Sequence, residues 1–300
     1  MKSYGICPAS CGEFVQGFLD KEEYLSSYAI DMFSIATLEE KKEIDLGPKK
    51  SRKAIEKVFE KFNIPLEESK NISLNLKSDI PVGKGMASST ADIGATIKAT
   101  LSILNKNLND EEISFMASEI EPTDSIILYE NSIFNPVNGT VKKYLSSIDN
   151  GRVIILEPKG ILETKIIRSN PNYLNIKLEN KSIINKSFDL LEKGLKNNDL
   201  KLIGEACTLS AIANENIHKK PYLNEVIEIS QSMNAYGVNI AHSGTVVGIL
   251  IDENMDYEKI INHLKNQPLS DYYKKIHLAN IIGHEKREEL EWNMLKTLKW

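Results

Sequence analysis

Residues 81–92, Pro-Val-Gly-Lys-Gly-Met-Ala-Ser-Ser-Thr-Ala-Asp, are the stretch on which the interpretation of this chain depends. Its two glycines let backbone N–H groups approach an anion because no Cβ stands in the way. The small residues that follow open a predicted helix, 89–104, whose free N–H groups and positive dipole end favour phosphate. Ser89 and Asp92 also match an S-x-x-D capping pattern. The stretch therefore predicts either an anion site or a plain Gly-rich turn before a capped helix.

The loop differs from two common nucleotide motifs. The sequence lacks the G-x-x-x-x-G-K-[ST] pattern of a Walker A loop, and Ser88 stands where a dinucleotide fingerprint has its third glycine. On loop composition alone, an anion site and an ordinary turn are about equally supported.

Composition narrows the class of protein. The chain has 300 residues, of which 41% are hydrophobic and 26% charged, which is typical of a soluble globular protein. With 37 basic and 42 acidic residues the net charge is −5, so no basic excess indicates a nucleic acid or an anionic membrane as partner. No apolar run approaches the roughly 18 residues of a membrane span, and the N-terminal residues lack the apolar core of a signal peptide. We expect a cytoplasmic protein that binds neither nucleic acid nor membrane.

The three cysteines, Cys7, Cys11 and Cys207, are too few for a disulfide framework, which fits a reducing compartment. The spacing of Cys7 and Cys11, with no histidine nearby, is poor for zinc. Buried or half-buried thiols are the expected state of all three.

Strand-like and helical segments alternate irregularly along the chain, which predicts the α+β class. The Asp-Asn-Gly turn at 149–151 is the candidate boundary between two domains, 1–150 and 151–300. The predicted strands are 72–76, 153–156, 164–168, 237–241 and 245–251, and the predicted helices include 51–62, 89–104 and 221–234. Three more helices are predicted from apolar faces formed by Ile184, Phe188, Leu191 and Leu195, by Leu202, Ala206, Leu209 and Ala213, and by Leu290, Met294 and Leu298.

Three segments in order resemble the signatures of the GHMP kinases, the family of galactokinase, homoserine kinase, mevalonate kinase and phosphomevalonate kinase. The loop at 81–92 is similar to the family's phosphate-loop motif. Residues 7–17, Cys-Pro-Ala-Ser-Cys-Gly-Glu-Phe-Val-Gln-Gly, resemble its substrate-side motif, and residues 237–248, Gly-Val-Asn-Ile-Ala-His-Ser-Gly-Thr-Val-Val-Gly, resemble its third motif. Together with Glu-Pro-Thr-Asp-Ser at 121–125, they look most like the branch that phosphorylates L-threonine for the aminopropanol linker of cobalamin.

The resemblance implies a fold and a cofactor. We expect an N-terminal domain like domain 2 of ribosomal protein S5, a ferredoxin-like C-terminal domain, and ATP with Mg²⁺ against residues 83–90. L-threonine would lie in the cleft between the domains, and a homodimer is compatible with the family. The residues expected to bind ATP are Pro81, Gly83, Lys84, Gly85, Met86, Ala87, Ser88, Ser89 and Thr90. Lys84 is also compatible with a solvated loop lysine. Ala87 stands where the family usually has glycine.

The acidic residues around 121–125 are the expected catalytic and metal-binding groups. An aspartate after a proline turn is commonly a solvated turn residue or a helix cap. The resemblance instead implies that Asp124 is the catalytic or substrate-orienting acid, and that Ser89 with Glu121, or else with Glu119, holds Mg²⁺. Magnesium needs few protein carboxylates beside phosphate oxygens and water.

The acceptor side is expected near the first and third motifs. Glu13 is a candidate partner for an ammonium group. Asp31 stands in an apolar stretch, where an unpaired acid is costly to bury, so it either points outward along a strand or has a partner. It is the second choice for the ammonium. Ser10, Gln16 and Ser243 complete the expected substrate contacts. Ser10 replaces a basic residue that many family members carry, so a cationic role at that position has no support.

Three alternatives stay open at the level of sequence. Homoserine differs from threonine only in the position of its hydroxyl, and an isoprenoid-pathway alcohol is a more distant acceptor, which the polar Glu13 and Gln16 disfavour. A non-catalytic nucleotide-binding protein on the same fold is the third. The presence of Ser89, Glu121 and Asp124 together argues against it.

Overall fold

The fold is known from a computed structural model that describes residues 1–40, 47–148, 150–160, 173–241 and 244–299. Strands and helices are mixed in both halves of the chain, so the predicted class is confirmed. The strands are β1 (Lys2–Leu19), β2 (Glu22–Glu40), β3 (Ile72–Ser78), β4 (Asn131–Asn135), β5 (Thr140–Leu145), β6 (Gly151–Pro158), β7 (Gly237–Ile240), β8 (Val247–Asp252) and β9 (Tyr273–Asn280). The helices are α1 (Lys49–Lys61), α2 (Leu66–Ser69), α3 (Ser88–Ile103), α4 (Asp110–Ser118), α5 (Tyr173–Glu179), α6 (Lys181–Asn197), α7 (Leu200–Asn214), α8 (Leu223–Ser232), α9 (Tyr257–Lys265) and α10 (His284–Lys299), with short 3₁₀ turns at Ser125–Ile127 and Pro268–Asp271.

The nine described strands form one sheet in the order β5-β4-β2-β1-β7-β8-β6-β9, with β3 also paired to β2. All the pairs are antiparallel. The sheet passes from one half of the chain to the other where Glu13 of β1 pairs with Ile240 of β7. The largest apolar cluster likewise holds residues from both halves, and a second one lies where α8 and α9 cover β6 to β8. The domain boundary near residue 150 stays a prediction, and Asp149 itself lies outside the described residues.

The long hairpin of β1 and β2 was not predicted. Its strands pair from Lys2↔Glu39 to Leu19↔Glu22, and nearly all of β1 is buried. A strand buried on both faces shows no alternation of apolar and polar residues, so a period of two is absent from its sequence. Register shifts between Pro8 and Val15 interrupt the pairing within the first motif. Such irregularities redirect side chains, and here they do so where Ser10 and Glu13 lie.

Most other predicted elements are confirmed with small changes of boundary: α1, α3, α8, β3, β6, β7 and β8. The sequence reading missed α4, α9, β4, β5 and β9, and the strand predicted at 164–168 lies outside the described residues. The face predicted for α6 is buried as expected. None of the described helices is long and apolar enough to cross a membrane.

Two predicted helix faces were wrong in detail. In α7 the buried side includes Ile203 and Cys207, whereas Leu202 and Leu209 are only half-buried. In α10 the buried positions are Arg287 and Glu291, and the predicted apolar stripe is half-buried. An ion pair at the centre of a packed helix face cannot be read from apolar periodicity. The three cysteines are free and buried, as predicted.

Candidate active site

Backbone hydrogen bonds bring the three motifs to one place. The N–H groups of Ser10 and Gly12 on β1 donate to the carbonyls of Met86 and Gly85 at 3.3 and 3.1 Å. From the other side, the Thr245 N–H donates to the Lys84 carbonyl at 2.8 Å. The loop at 81–92 is therefore held between the first and third motifs.

The conformation of this loop requires its glycines. Gly83 and Gly85 have φ values of +71° and +83°, in the left-handed region that glycine adopts readily. A Cβ on Gly85 would meet the Ala241 side chain and lie 2.7 Å from the Cα of Gly244. Ala87 also has a left-handed φ of +56°, directly before α3. The residue that departs from the family pattern thus adopts the conformation that usually favours glycine.

The N-terminus of α3 has no side-chain cap among the described residues. The first helical hydrogen bond there runs from the Ala91 N–H to the Ala87 carbonyl. The N–H groups of Ser88, Ser89 and Thr90 precede that bond. The predicted S-x-x-D cap was wrong, because Asp92 accepts instead from Ser34 Oγ at 2.5 Å.

Lys84 is directed away from the helix N-terminus. Its ammonium donates to the carbonyls of Pro158 and Gly160 and lies 3.7 Å from a carboxylate oxygen of Glu157. The side chain is buried. The expectation that Lys84 reaches a phosphate through its ammonium is therefore wrong, and so is the alternative of a solvated lysine. Through these contacts the Lys84 side chain binds the loop to the end of β6.

Ser89 and Glu121 form a polar cluster at the start of α3. The Ser89 hydroxyl donates to one carboxylate oxygen of Glu121, and the Lys50 ammonium from α1 contacts the other. Lys50 also donates to Ser89 Oγ at 3.1 Å. Glu119, the alternative metal ligand, is exposed and pairs with Lys57 at 3.4 Å. The structure thus brings Glu121, and not Glu119, to Ser89.

Asp124 is held against the same helix by Thr90. The Asp124 N–H donates to Thr90 Oγ1 at 3.3 Å, and that hydroxyl lies 3.4 Å from the Asp124 carboxylate. Thr123 Oγ1 donates to Thr90 Oγ1 at 3.1 Å. Burial raises the pKa of Asp124 to about 6, with a further contribution from the negative charge of Glu121, while the Thr90 hydroxyl opposes the shift. An acid with such a pKa can both hold and release a proton near neutral pH.

Glu13 lies next to Asp124 on the acceptor side. It is buried on β1 opposite Ser27 of β2, and both side chains are close enough to Asp124 to influence its pKa. Gln16 is also buried, and its backbone is tied to α7 by Ser210 and Asn214. The Ser10 side chain is buried on the same strand.

One predicted substrate contact, Asp31, does not join this group, and another falls on residues that the structure does not describe. Asp31 is exposed on β2, where its carboxylate accepts from the backbone N–H and the amide of Asn280 at 2.8 and 2.5 Å. That arrangement removes the reason for a ligand there, since the acid is neither buried nor unpaired. Ser243, with His242, lies outside the described residues.

Sequence reasoning missed two lysines in this region. Lys50 belongs to the run Lys49-Lys50-Ser51-Arg52-Lys53, and Lys220 follows Lys219. Charge runs of this kind are usually solvated helix faces or turns. Lys220 is instead 2% exposed. Nothing in the local sequence separates these lysines from their exposed neighbours.

The arrangement suits phosphoryl transfer. An uncapped helix N-terminus and a glycine loop can bind phosphates. A serine hydroxyl with one carboxylate is the type of oxygen set that Mg²⁺ accepts from proteins when phosphates and water supply its other ligands. Beside them stands an acid, Asp124, next to the buried Glu13.

Comparison with known families agrees with this site. The profile described as GHMP kinases N terminal domain matches residues 49–129, and the one described as GHMP kinases C terminal matches residues 191–270. The chain belongs to the GHMP kinase family. Kinase activity toward a small molecule, with ATP as phosphate donor, goes with that membership.

Individual relatives cover nearly the whole chain. An L-threonine kinase of Salmonella typhimurium is 31% identical over 92% of this chain and 92% of its own. An L-threonine kinase of Citrobacter freundii is 28% identical over 92% of this chain and 96% of its own. Among solved structures, homoserine kinase from Cytophaga hutchinsonii superposes with a TM-score of 0.67 at 20% identity, over 93% of this chain and 95% of that one. That last likeness concerns the fold alone.

Proposed function

We propose that this chain transfers the γ-phosphoryl group of ATP to the hydroxyl of L-threonine, giving ADP and O-phospho-L-threonine. The observation that carries the proposal is the position of Asp124, tied to the first turn of α3 by Thr90 and adjacent to the buried Glu13. The two L-threonine kinases that resemble this chain over 92% of its length support the choice of acceptor.

In this proposal the loop and the first turn of α3 hold the ATP phosphates through backbone N–H groups. Ser89 and Glu121 fit Mg²⁺, which when bound would neutralise charge on the transferring phosphoryl group. Lys50 already contacts both residues, so a cation is favoured at this point of the structure. It stands close enough to add positive charge beside the phosphates.

Asp124 acts on the acceptor hydroxyl. Phosphoryl transfer passes through a loose transition state in most analyses, so the hydroxyl need not be deprotonated in advance. The new bond joins the threonine oxygen to the γ-phosphorus while the bond to the β–γ bridging oxygen breaks. The hydroxyl proton passes to Asp124, whose raised pKa suits that transfer. Glu13 is the proposed partner of the substrate ammonium.

We also propose that the product supplies the aminopropanol linker of cobalamin. The resemblance of residues 7–17, 121–125 and 237–248 to the threonine-specific branch supports this step.

The test is ADP release from Mg-ATP with L-threonine, L-homoserine, L-serine and mevalonate offered separately, with the product identified by phosphorus NMR. Turnover preferring L-threonine is the expected result, and Asp124→Asn is the inactive control. Preference for homoserine or mevalonate would contradict the acceptor while leaving the kinase class. Nucleotide binding without turnover of any acceptor would favour a non-catalytic protein.

A further inference from the structure

Lys220 is a buried lysine that the proposed mechanism has not used. It lies between α7 and α8, and 2% of its surface is exposed. Its backbone N–H donates to Glu215 at 3.1 Å, but its Nζ has no hydrogen-bond partner among the described residues. Burying an ammonium group without hydrogen bonds is costly, so such a group calls for a ligand or a function.

The charges around Lys220 connect it with the acceptor pocket. The carboxylates that act on it are Glu13 and Glu215, with Glu13 the stronger. Glu13 in turn influences Asp124. Two acids and one base therefore follow each other in the order Asp124, Glu13, Lys220, and this series begins at the residue proposed to act on the hydroxyl.

Other buried polar atoms near this series also lack partners. Gln16 Nε2 and Ser10 Oγ, both on the first motif in β1, have none in the described part of the chain. Native proteins leave few buried polar groups unsatisfied, and a cluster of them indicates where a polar molecule binds. The first motif therefore presents buried hydrogen-bonding groups on the same strand as Glu13, whose charge acts on Lys220.

We propose that Lys220 binds the carboxylate of the amino-acid acceptor. The inference rests on the proposed function and adds a determinant of specificity to it. A zwitterionic substrate with a hydroxyl has three polar groups, and the pocket offers a complement to each: Asp124 to the hydroxyl, Glu13 to the ammonium and Lys220 to the carboxylate. An alcohol without a carboxylate leaves the buried ammonium unmatched.

The electrostatic surroundings of Lys220 agree with this role. Burial lowers the pKa of Lys220 to about 7, although Glu13 and Glu215 oppose that shift. An anion bound next to Nζ favours the protonated form, so a carboxylate ligand replaces the missing solvation of the ammonium. Lys220 thus becomes a better cation when the acceptor is present.

The test compares Lys220→Met with wild type on two acceptors, L-threonine and (R)-1-aminopropan-2-ol, which is L-threonine without its carboxylate. Lys219→Met, a change at the exposed neighbouring lysine, is the matched control. In Lys220→Met we expect KM for L-threonine to rise about 10- to 100-fold, as for a lost hydrogen bond to a charged group, with kcat nearly unchanged. KM for the aminoalcohol should stay the same, and Lys220→Arg should restore part of the affinity for L-threonine.

The outcomes separate the two proposals. Wild-type enzyme that uses both acceptors equally well, or a Lys220→Met variant that loses both equally, overturns the carboxylate role while the kinase proposal stands. Wild-type enzyme that phosphorylates neither overturns both. Thermal unfolding of each variant checks the fold, and if Lys220→Met does not fold, Lys220→Gln is used with the same expectations. Calorimetric titration with L-threonine gives a readout of affinity independent of turnover.

Discussion

At the scale of single residues, Asp124 illustrates a conflict between function and stability. Its folded-state pKa of about 6 lies above the ordinary value of 3.8, so the ionised carboxylate has a lower free energy in the unfolded chain than in the folded one. Stability is therefore lost as pH rises from about 4 to 6. Asp124→Asn should lower kcat by about 10²- to 10⁴-fold, as for loss of an acid–base group. At pH 7.5 the free energy of unfolding of the same variant should be higher than that of wild type by about 1–3 kcal/mol, and its melting temperature should rise accordingly.

Steady-state kinetics and thermal melts at pH 4 and pH 7.5 check both halves of this prediction. The stability difference should become small at the lower pH, where the folded-state carboxyl group is protonated and the unfolded-state one is only partly ionised. In wild type, kcat/KM should decrease as the pH falls below about 6, because the pH dependence of kcat/KM reports the pKa values of the free enzyme. Normal turnover in Asp124→Asn would remove the residue from the mechanism.

The pair Glu121 and Glu119 allows a matched comparison two residues apart. Glu121 contacts Ser89 and Lys50, whereas Glu119 is exposed and bound to Lys57. Glu121→Gln should raise the Mg²⁺ concentration needed for half-maximal activity by about tenfold or more. Glu119→Gln should leave it within about twofold, since exposed ion pairs contribute little. Titration of Mg²⁺ at fixed ATP measures both, and equal effects of the two variants would contradict the assignment.

At the scale of elements, the loop before α3 depends on how closely the third motif approaches it. A Cβ on Gly85 would strike Ala241 and the backbone of Gly244, which cannot move away without shifting the whole junction. Gly85→Ala should therefore destabilise the protein by more than about 2 kcal/mol and weaken ATP binding, because φ is also positive there. Gly160→Ala is the control, since a Cβ at that position meets nothing within 4 Å. Denaturant unfolding and nucleotide titration report the two effects, and a harmless Gly85→Ala would show that the junction is loose.

Helix α10 supports the segment that follows Asp124. The fully buried Arg287 pairs with Glu291 at 2.8 Å and donates to the carbonyls of Ile126 and Leu128 at 2.8 and 2.7 Å. Tyr129 covers the guanidinium at 4.1 Å. These carbonyls lie two and four residues after Asp124, so α10 fixes the backbone that follows this residue.

The sequence predicts elements best where one face is apolar and the other polar. Helix α6 and strand β3 have that pattern and were found, whereas β1 is buried on both sides and was missed. For α10 the helix is predicted but its buried face is wrong, because the centre of that face is an ion pair and not an apolar stripe. Periodicity reports burial of apolar residues and is silent when polar residues are buried.

The candidate site shows the same limit. Motif resemblance led to the loop, to Glu121 and to Asp124, because these residues stand at recognisable spacings. Lys84 was misjudged and Lys220 missed, since a lysine that folds inward has the same neighbours in sequence as one in solvent. Only the tertiary structure decides where each ammonium lies: the first donates to the Pro158 carbonyl, and the second is buried within reach of the charge of Glu13.

At the scale of the whole molecule, the two halves of the chain share one sheet and one main apolar cluster. Phe14 and Ile55 lie in the same cluster as Ile184 and Leu250, and the pairing of β1 with β7 joins the strands across the predicted boundary. The site lies at this junction, where motifs from both halves contact each other. A substrate held between them depends on the halves being packed together.

This shared core predicts a single cooperative unfolding transition. Both tryptophans, Trp292 and Trp300, lie near the end of the sequence, so their fluorescence reports that segment while far-UV circular dichroism reports the entire chain. Urea titrations followed by the two signals should coincide. Unfolding of β1 in the first half would expose the core of the second half, and unfolding of α7 in the second half would expose the core of the first. The fragment 151–300 alone should show no cooperative transition, since it lacks the strand that α6 and α7 cover. Two separated transitions, or a fragment that unfolds cooperatively, would instead mean that the halves are independent domains and that the boundary near residue 150 is a true hinge.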